Sequence, residues 1–512
     1  MRPLHYLSGI VGIACFAGCT VGPDYHEPKT KLPDSFIAAS AIGAGNAVGS
    51  NKQTVDIATW WATLNDSELN SLIERAIKAN PSLEIALTRL QEARTFEVAI
   101  TGLALPELEA SAGAGRGTGS NMTRGRVSPP LNSASNTAGL HQINYLGGFD
   151  ATWEIDVFGR YRRAIEAARY DTQAAAAARN VVLITVVADV TRAYVDMRGL
   201  QMQLAVLRQN IRTAQQSVDL VQARFDRGII NELDVTLARR QLATFQSQVA
   251  PLAAQIAAAQ YAIALLIGQF PEELAKELEQ PGLVPQVPEK IDAGLPLDLI
   301  RRRPDIREAE RQLAGATARI GVATANLFPR VAITAGGGGQ GQGLGVTPVV
   351  NQSVWSAGVL ATWPLLDFGT LDALVNIADL RTHALLVSYK QTVLNAVQEV
   401  DTTITAYAAQ QDRLRNLGDA LAASQRAVSL AQQRYDRGLT DYLNVVDAQR
   451  QEYDLAAQYA SAQMAAAENF VALYKGLGGG WEHYQSIPPI RQPQPAVVAA
   501  FRRVFAPEDP LK

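Results

Sequence analysis

The sequence predicts a mixed α+β chain, mostly α, that is internally duplicated and built from long antiparallel helical hairpins joined to four β-strands. Three observations predict it. Distinctive landmarks recur in the same order at two nearly equal offsets. Apolar residues step alternately by four and three along stretches without proline. Between these stretches lie short alternating, Gly-rich segments bounded by turn residues.

The duplication comes first, because an overlooked repeat misassigns a whole fold. Pro81 matches Pro304 and Pro106 matches Pro329, both at an offset of 223. Trp153 to Gly159 matches Trp363 to Gly369, and Arg224-Phe-Asp-Arg-Gly228 matches Arg434-Tyr-Asp-Arg-Gly438, both at an offset of 210. Each copy reads as helix, two strands, long helix, returning helix. Proline is tolerated in a helix's first turn, so the first helices start at Pro81 and Pro304 and end near Gly102 and Asn326. Alternation and turn clusters then place strands at 107–117 and 141–153 in the first copy, and at 330–336 and 353–363 in the second. Tyr145, Phe149, Trp153, Trp355 and Trp363 are candidates for an aromatic girdle at a lipid interface, or for ordinary strand packing.

The long helices carry the strongest periodic signal. Leu200, Leu204, Leu207, Ile211, Ala214, Val218, Val221 and Phe225 step by a mean of 3.5, the spacing of a coiled-coil seam. The returning helix repeats the pattern from Val235 to Leu266, and the second copy shows it from Leu414 to Tyr435. Gly228 and Gly438 stand where each hairpin reverses, since glycine tolerates the backbone a helix stop requires. Between Arg160 and Arg227 no proline occurs, so the helix would run ~100 Å at ~1.5 Å per residue. Pro251 should kink the returning helix locally.

Four strands per chain cannot close a barrel around a lumen, and open sheet edges are not tolerated in lipid. Other copies of the chain must complete the sheet, and three copies under cyclic symmetry would give twelve strands. The N-terminus supplies an address. Arg2 precedes an apolar run from Leu7 to Ala17 that is too short for an ordinary spanning helix and suits a secretory signal. Phe16-Ala17-Gly18-Cys19 resembles a bacterial lipobox. Cleavage before Cys19 would leave it as an acylated first residue, and Thr20 after it suggests sorting to the outer membrane. No later window offers 18 uninterrupted apolar residues, so no transmembrane helix is expected after the signal.

Composition excludes several classes. Lys+Arg 46 against Asp+Glu 49 gives a net charge of −3, which argues against nucleic-acid binding. The only cysteines, Cys15 and Cys19, cannot build a zinc site or a disulfide framework, and the five histidines are scattered. No cofactor, metal or catalytic residue is expected, because GxSxG, HExxH and Walker A patterns are missing. Gly336, Gly338 and Gly341 formally satisfy GxGxxG, but Pro348 follows rather than a helix, so the run reads as an extracellular loop.

Several motifs then carry a family resemblance over nearly the whole chain. They are Cys19-Thr-Val-Gly-Pro-Asp-Tyr25 with Pro28, Trp60-Trp61, Leu295 through Ile306 (LPLDLIRRRPDI), Asn326-Leu-Phe-Pro329, Leu366-Asp-Phe-Gly369 and Arg434-Tyr-Asp-Arg-Gly438. With them the sequence resembles TolC-like outer membrane factors of the NodT/OprM lipoprotein type. The resemblance implies a homotrimer whose 12-stranded barrel in outer-membrane lipid continues into a periplasmic α-barrel. It implies a gated exit duct for an RND-type tripartite efflux system, with a periplasmic adaptor and an inner-membrane transporter as partners. A type I secretion duct and a pore-free coiled-coil surface lipoprotein are the alternatives. The implied parts are a signal at 1–18, a lipidated segment at 19–60, repeats at 61–270 and 301–478, a linker at 271–300 and an equatorial tail at 479–512. By the same resemblance Tyr435 and Asp447 fall on aperture positions of a periplasmic gate. Arg437 and Asp441 lie beside them, and Arg227, Glu232 and Asp234 form the corresponding cluster in the first copy. The turns at Gly228 and Gly438 are the expected adaptor contacts. Neutralising Asp441 and Asp447 together is expected to loosen the closed state.

Overall fold

A computed structural model describes residues 20–29, 33, 36–37, 56–116, 143–288, 299, 301–343 and 350–484. A 3-10 helix at Ile57–Leu64 leads into α1 (Ser67–Ala79) and α2 (Pro81–Leu103). Strands β1 (Glu107–Arg116) and β2 (Ile143–Ile155) follow, then α3 (Arg160–Asp226) and the returning helices α4 (Glu232–Ser247) and α5 (Val249–Leu266). After the short α6 (Pro271–Ala275) the plan repeats. It runs through α7 (Pro304–Ala325), β3 (Arg330–Gly343), β4 (Val350–Thr362), α8 (Thr370–Asp436) and α9 (Tyr442–Gly476), and ends on a 3-10 turn at Glu482–Tyr484.

The duplication holds at atomic detail. Helices α3 and α8 each have 67 residues, about 100 Å of rod. Both start behind a left-handed glycine, Gly159 (φ 80°) and Gly369 (φ 82°). Asn80 caps α2, its Oδ1 accepting from Ser82 N and Leu83 N, while its Nδ2 donates to Leu266 O at 2.7 Å. At the matching place Arg303 donates to Gly476 O at 2.6 Å and to Glu399 at 2.8 Å. The two residues differ in type yet tie the same helix start to the same returning helix end. Trp153 Nε1 donates to Ala104 O at 3.1 Å, and Trp363 Nε1 donates to Leu327 O at 3.0 Å. Each indole thus staples a second strand to the end of the preceding helix.

The four strands form one antiparallel sheet in the order β1-β2-β3-β4. Glu107 faces Thr152 in the first hairpin and Arg330 faces Thr362 in the second, so both hairpins share one register. Among the described residues β1 and β4 have no neighbour on their outer sides. Phe149, Trp355 and Trp363 are exposed, and Trp355 retains 82% of its surface. The side chain of Tyr145 lies outside the described residues.

One expectation is corrected here. The glycine run from Gly336 is strand, not loop: β3 continues to Gly343 and pairs residue for residue with β2. The glycines answer a close approach. A Cβ on Gly148 would stand 2.9 Å from Gly337 O, and one on Gly338 would meet the Gly147 carbonyl. Glycine usually weakens a strand, but it also marks places where two backbones crowd together. The second strands are also displaced slightly from their expected ends, to Ile143–Ile155 and Val350–Thr362.

The break in the returning helix falls at Gln248, between α4 and α5. Pro251 lacks an N–H for the preceding turn, and its ring crowds the carbonyl four residues back. By length and composition α3 and the run Glu232–Leu266 are apolar enough to cross a bilayer, which the sequence reading does not expect. In α3 much of that surface faces protein. Leu183, Val187, Val190 and Tyr194 pack with Leu69, Leu72 and Ile73 of α1 in the largest core. Trp60 belongs to the same core and stacks on Tyr474 of α9, with ring centroids 5.7 Å apart and planes inclined by 15°. In α5 the described burial is slight, with only Ile263 and Ala264 fully covered.

The N-terminal segment is strapped across the two copies. Val21 N donates to Phe158 O at 3.2 Å. Arg163 of α3, almost fully buried, donates to Val21 O, Gly22 O, Asp24 and Glu166. Tyr25 donates to Glu310 of α7 at 2.5 Å. Cys19 and residues 1–18 lie outside the described residues.

The left-handed glycines make a stability test. Gly228 (φ 73°) has open space, so Gly228→Ala should cost only the left-handed strain, ~1–2 kcal/mol. Gly268 (φ 68°) lies against Ala79 O, so Gly268→Ala should cost that strain plus a displacement of α1. Denaturant unfolding of the two variants should rank Gly268→Ala clearly below Gly228→Ala.

Candidate functional site

The hairpin tips are built from the repeated RxDRG motif. Gly228 N donates to Phe225 O at 2.8 Å and Ile229 N to Arg224 O at 3.0 Å. Gly438 N donates to Tyr435 O at 2.9 Å and Leu439 N to Arg434 O at 2.9 Å. Both turns therefore satisfy the last carbonyls of their helices in the same way, with glycine in the left-handed conformation that this stop requires. Asn231 opens α4, its side chain accepting from Asp234 N at 3.3 Å, and Asp441 is the N-cap residue of α9.

The two tips close on each other through a small apolar core. Tyr435 and Tyr442 lie 5.2 Å apart and are buried with Val221, Val235, Ala238, Val445 and Val446. Arg224 of α3 spans the seam, its guanidinium 4.6 Å from the centre of the Tyr435 ring and its Nη2 3.2 Å from Asp436 Oδ1. One cation thus holds the second hairpin to the first by both a face contact and an ion pair. The sequence reading quoted Arg224 within the motif but did not single it out. The signal available was its repetition beside an aromatic that differs between copies, Phe225 against Tyr435.

The expected gate residues distribute around this core. Tyr435 sits inside it. Asp234 is half-buried, and burial together with the nearby Asp441 carboxylate raises its carboxyl above the usual range. Arg227, Glu232, Arg437 and Asp441 are exposed. Asp447 is exposed and accepts from Gln451 of its own helix at 2.8 Å. The structure brings Tyr435, Asp234 and Asp441 to one place and leaves Arg227, Glu232, Arg437 and Asp447 on the surface of the single chain. Among the described residues no group of three or more His, Cys, Asp or Glu is placed to hold a metal.

A second electrostatic feature lies further along the rods. Glu468 of α9 shares a hydrogen bond with Asp196 of α3. Burial, that hydrogen bond and the Asp196 charge push the Glu468 carboxyl up to about 7, while Arg192 opposes the shift. Two carboxyl groups bonded to each other need one proton between them.

A duplicated chain whose one sheet, among the described residues, is open at both edges and stands on rods of about 100 Å fits a class of duct that passes a lipid layer with strands and an aqueous space with helices. Comparison makes the class specific. The family described as outer membrane efflux protein matches residues 72–269 and 295–479, and the chain belongs to that family. Nodulation protein T of Rhizobium leguminosarum bv. viciae is 30% identical over 94% of each chain. The toluene efflux pump outer membrane protein TtgF of Pseudomonas putida is 30% identical over 94% of this chain and 98% of its own. Among solved structures the outer-membrane channel OprN superposes with a TM-score of 0.79 at 34% identity, covering 90% of this chain and all of that one. The open state of the Neisseria gonorrhoeae MtrE channel gives 0.76 at 28% identity, over 90% and 98%. The chain is an outer-membrane efflux channel component, and its family is one of transport proteins rather than enzymes.

Two predictions follow from the geometry. Arg224→Gln removes both a cation–π contact and an ion pair, each worth ~0.5–1 kcal/mol at a partly exposed site. Together that is ~1–2 kcal/mol, so the contact between the two tips should weaken by ~5- to 30-fold in its equilibrium, read as faster amide hydrogen exchange at residues 224–229 and 434–439. For Glu468 the sign is set by the raised value. The folded chain keeps a proton that the unfolded chain releases, so this contribution is complete below the ordinary 4.5 and is lost as pH rises through about 7. Between pH 5 and 8 the melting temperature should fall more in the wild type than in Glu468→Gln.

Proposed function

We propose that three copies of this chain close one outer-membrane duct, and that a periplasmic adaptor couples it to an inner-membrane RND-type transporter. The observation that supports this reading is the four-stranded sheet whose two edges lack neighbours among the described residues, set on paired helical rods. Such edges need partners in lipid, and three equal contributions give the barrel its closure. In this reading residues 1–18 are a signal removed before Cys19, and acyl chains on Cys19 add a tether. Residues 61–270 and 301–478 act as two equivalent halves, with 19–60 as the lipidated N-terminal segment, 271–300 as the linker between the halves and 479–512 as the tail.

The work of the duct is gating. The Arg224–Tyr435–Asp436 contact holds the two tips of one chain together. Arg227, Glu232, Arg437, Asp441 and Asp447, exposed in the single chain, are then available to contacts between copies at the periplasmic mouth. Rings of Asp441 and Asp447 carboxylates would favour cations there. The exposed turns at Gly228 and Gly438 are the natural docking points for the adaptor. Selectivity belongs to the transporter. Among the relatives one is named for toluene efflux and one for cation efflux; the five methionines form no cluster in the sequence, and Met202 and Met464, which share one small core, are too few for a soft thioether relay for copper or silver.

Purified protein in planar bilayers should give discrete conductance steps, and Asp441→Asn/Asp447→Asn should raise the open probability. A protein that incorporates but never conducts would contradict the channel, while unchanged conductance in the double variant would contradict the gate alone.

A further inference from the structure

We propose that Asp196 and Glu468 form a proton-operated latch between the two halves of the chain: one shared proton clamps α9 onto α3, and its loss lets the second hairpin part from the first. The latch stands on the geometry of the single chain. Only its consequence for the duct rests on the reading above.

The place is a crossing of two rods. Helix α9 passes α3 so closely that a Cβ on Gly199 would stand 2.7 Å from Met464 Sδ. Asp196 lies one turn before Gly199 on α3 and Glu468 one turn after Met464 on α9, so both carboxyls belong to the same crossing. Beside them Val195 and Ala467 are buried with Val284 in a small apolar core that Met202 and Met464 join. Against such a wall an uncompensated charge is unfavourable. Asp196 Oδ1 is covered and receives no hydrogen bond from any nitrogen or hydroxyl group among the described residues. Its neighbour is the Glu468 carboxyl, and two carboxyl groups bond only when one of them carries a proton.

The surroundings put no close cation in the proton's place. Among the described residues the ion pair that α9 makes, Arg450 with Asp454, stays within its own helix. Its bonds to the first half are neutral, from Gln449 Nε2 to Ser217 Oγ at 3.4 Å and from Tyr453 OH to Gln248 Oε1 at 2.5 Å. On α3, exposed Arg192 opposes the shift without cancelling it, while Arg198 is engaged by Glu68 and Gln201, and Tyr194 by Asp66. From α8, Tyr407 lies against Phe470 with its hydroxyl on Pro288 O. Glu399 and Asp401 flank Val400, which packs on Gly476 two turns beyond Glu468. The segment 282–288 has no titratable side chain.

Burial, the bond to Asp196 and the Asp196 charge hold the Glu468 carboxyl up to about 7, so the latch works across the neutral range. Below that value the shared proton joins the rods. Above it two carboxylates oppose each other at an apolar crossing. Because α9 also carries Tyr442, Val445 and Val446 of the tip core, a loosened crossing frees the rod that closes the tip. In the duct, acid would hold the hairpins together and alkali would let them part.

The test is amide hydrogen exchange on the full-length protein in detergent, corrected for the intrinsic rate at each pH. A carboxyl held at about 7 when latched and at the ordinary 4.5 when open should cost residues 464–472 about 10-fold in protection between pH 6 and pH 8. In Glu468→Gln the amide keeps a donor toward Asp196 without a second charge, so protection should stay near the pH 6 level throughout. Asp196→Asn removes the same repulsion from the other helix and should behave alike, so a poorly folded first variant does not stall the test. Glu468→Lys exchanges the proton for an ion pair and should be as protected at pH 8 as the wild type is at pH 6. Wild-type protection that does not change with pH, or an equal fall in the wild type and the neutral variants, would overturn the latch. A protein that never conducts would contradict the duct, while the exchange result would still decide the latch.

Discussion

The sheet with two unpaired edges is the constraint on which the rest of the molecule depends. The outward-facing backbone N–H and C=O groups of β1 and β4 have no strand partner from their own chain among the described residues, and hydrocarbon offers none. Everything that makes the chain an assembly component follows from that deficit. The exposed Leu108 of β1 and the exposed Trp355 and Val359 of β4 share one face of the sheet, which belongs against lipid. The exposed Leu374, Ile377 and Leu380 continue the same deficit down α8.

The interior of the single chain is arranged to hold its two halves in a fixed relation before assembly. Arg163 gathers the N-terminal segment onto α3 through two carbonyls and the Asp24 carboxylate, and Tyr25 carries the same segment to Glu310 on α7. At the far end Arg224 joins the hairpin tips. Between them the Trp60–Tyr474–Phe470 stack fills the joint where α9 ends against the 3-10 helix. The rods are thus fastened at the membrane end, the middle and the tip. The fastening differs in character: the middle is an apolar core, whereas the tip is a small cluster closed by one partly exposed cation. Small, charge-closed contacts open at lower free energy than large apolar ones, so the tip is the joint that opens most readily.

Much of this was legible in the sequence because it rests on local rules. Pro81 and Pro304 marked helix starts, Gly228 and Gly438 marked reversals, Pro251 marked a kink, which the structure sharpens to a break, and the alternate steps of four and three marked the rods. The duplication was legible because RxDRG and the Trp to Phe-Gly landmarks kept their spacing. The glycine run from Gly336 was misread because composition reports what glycine costs a strand, not how closely a neighbouring backbone approaches. Arg224 escaped notice for a related reason: its partners, Tyr435 and Asp436, stand over 200 residues away, and no periodicity encodes such a contact. Glu468 likewise acquires its character only from Asp196 across a helix interface.

The central claim is that this chain becomes a conduit only by sharing its sheet. A reconstruction of the protein in lipid nanodiscs tests it most directly. The account predicts one axis of threefold symmetry, with twelve strands in a continuous cylinder above twelve helical rods. A lipid-embedded particle made of one chain, or an assembly whose sheets remain separate, would contradict it.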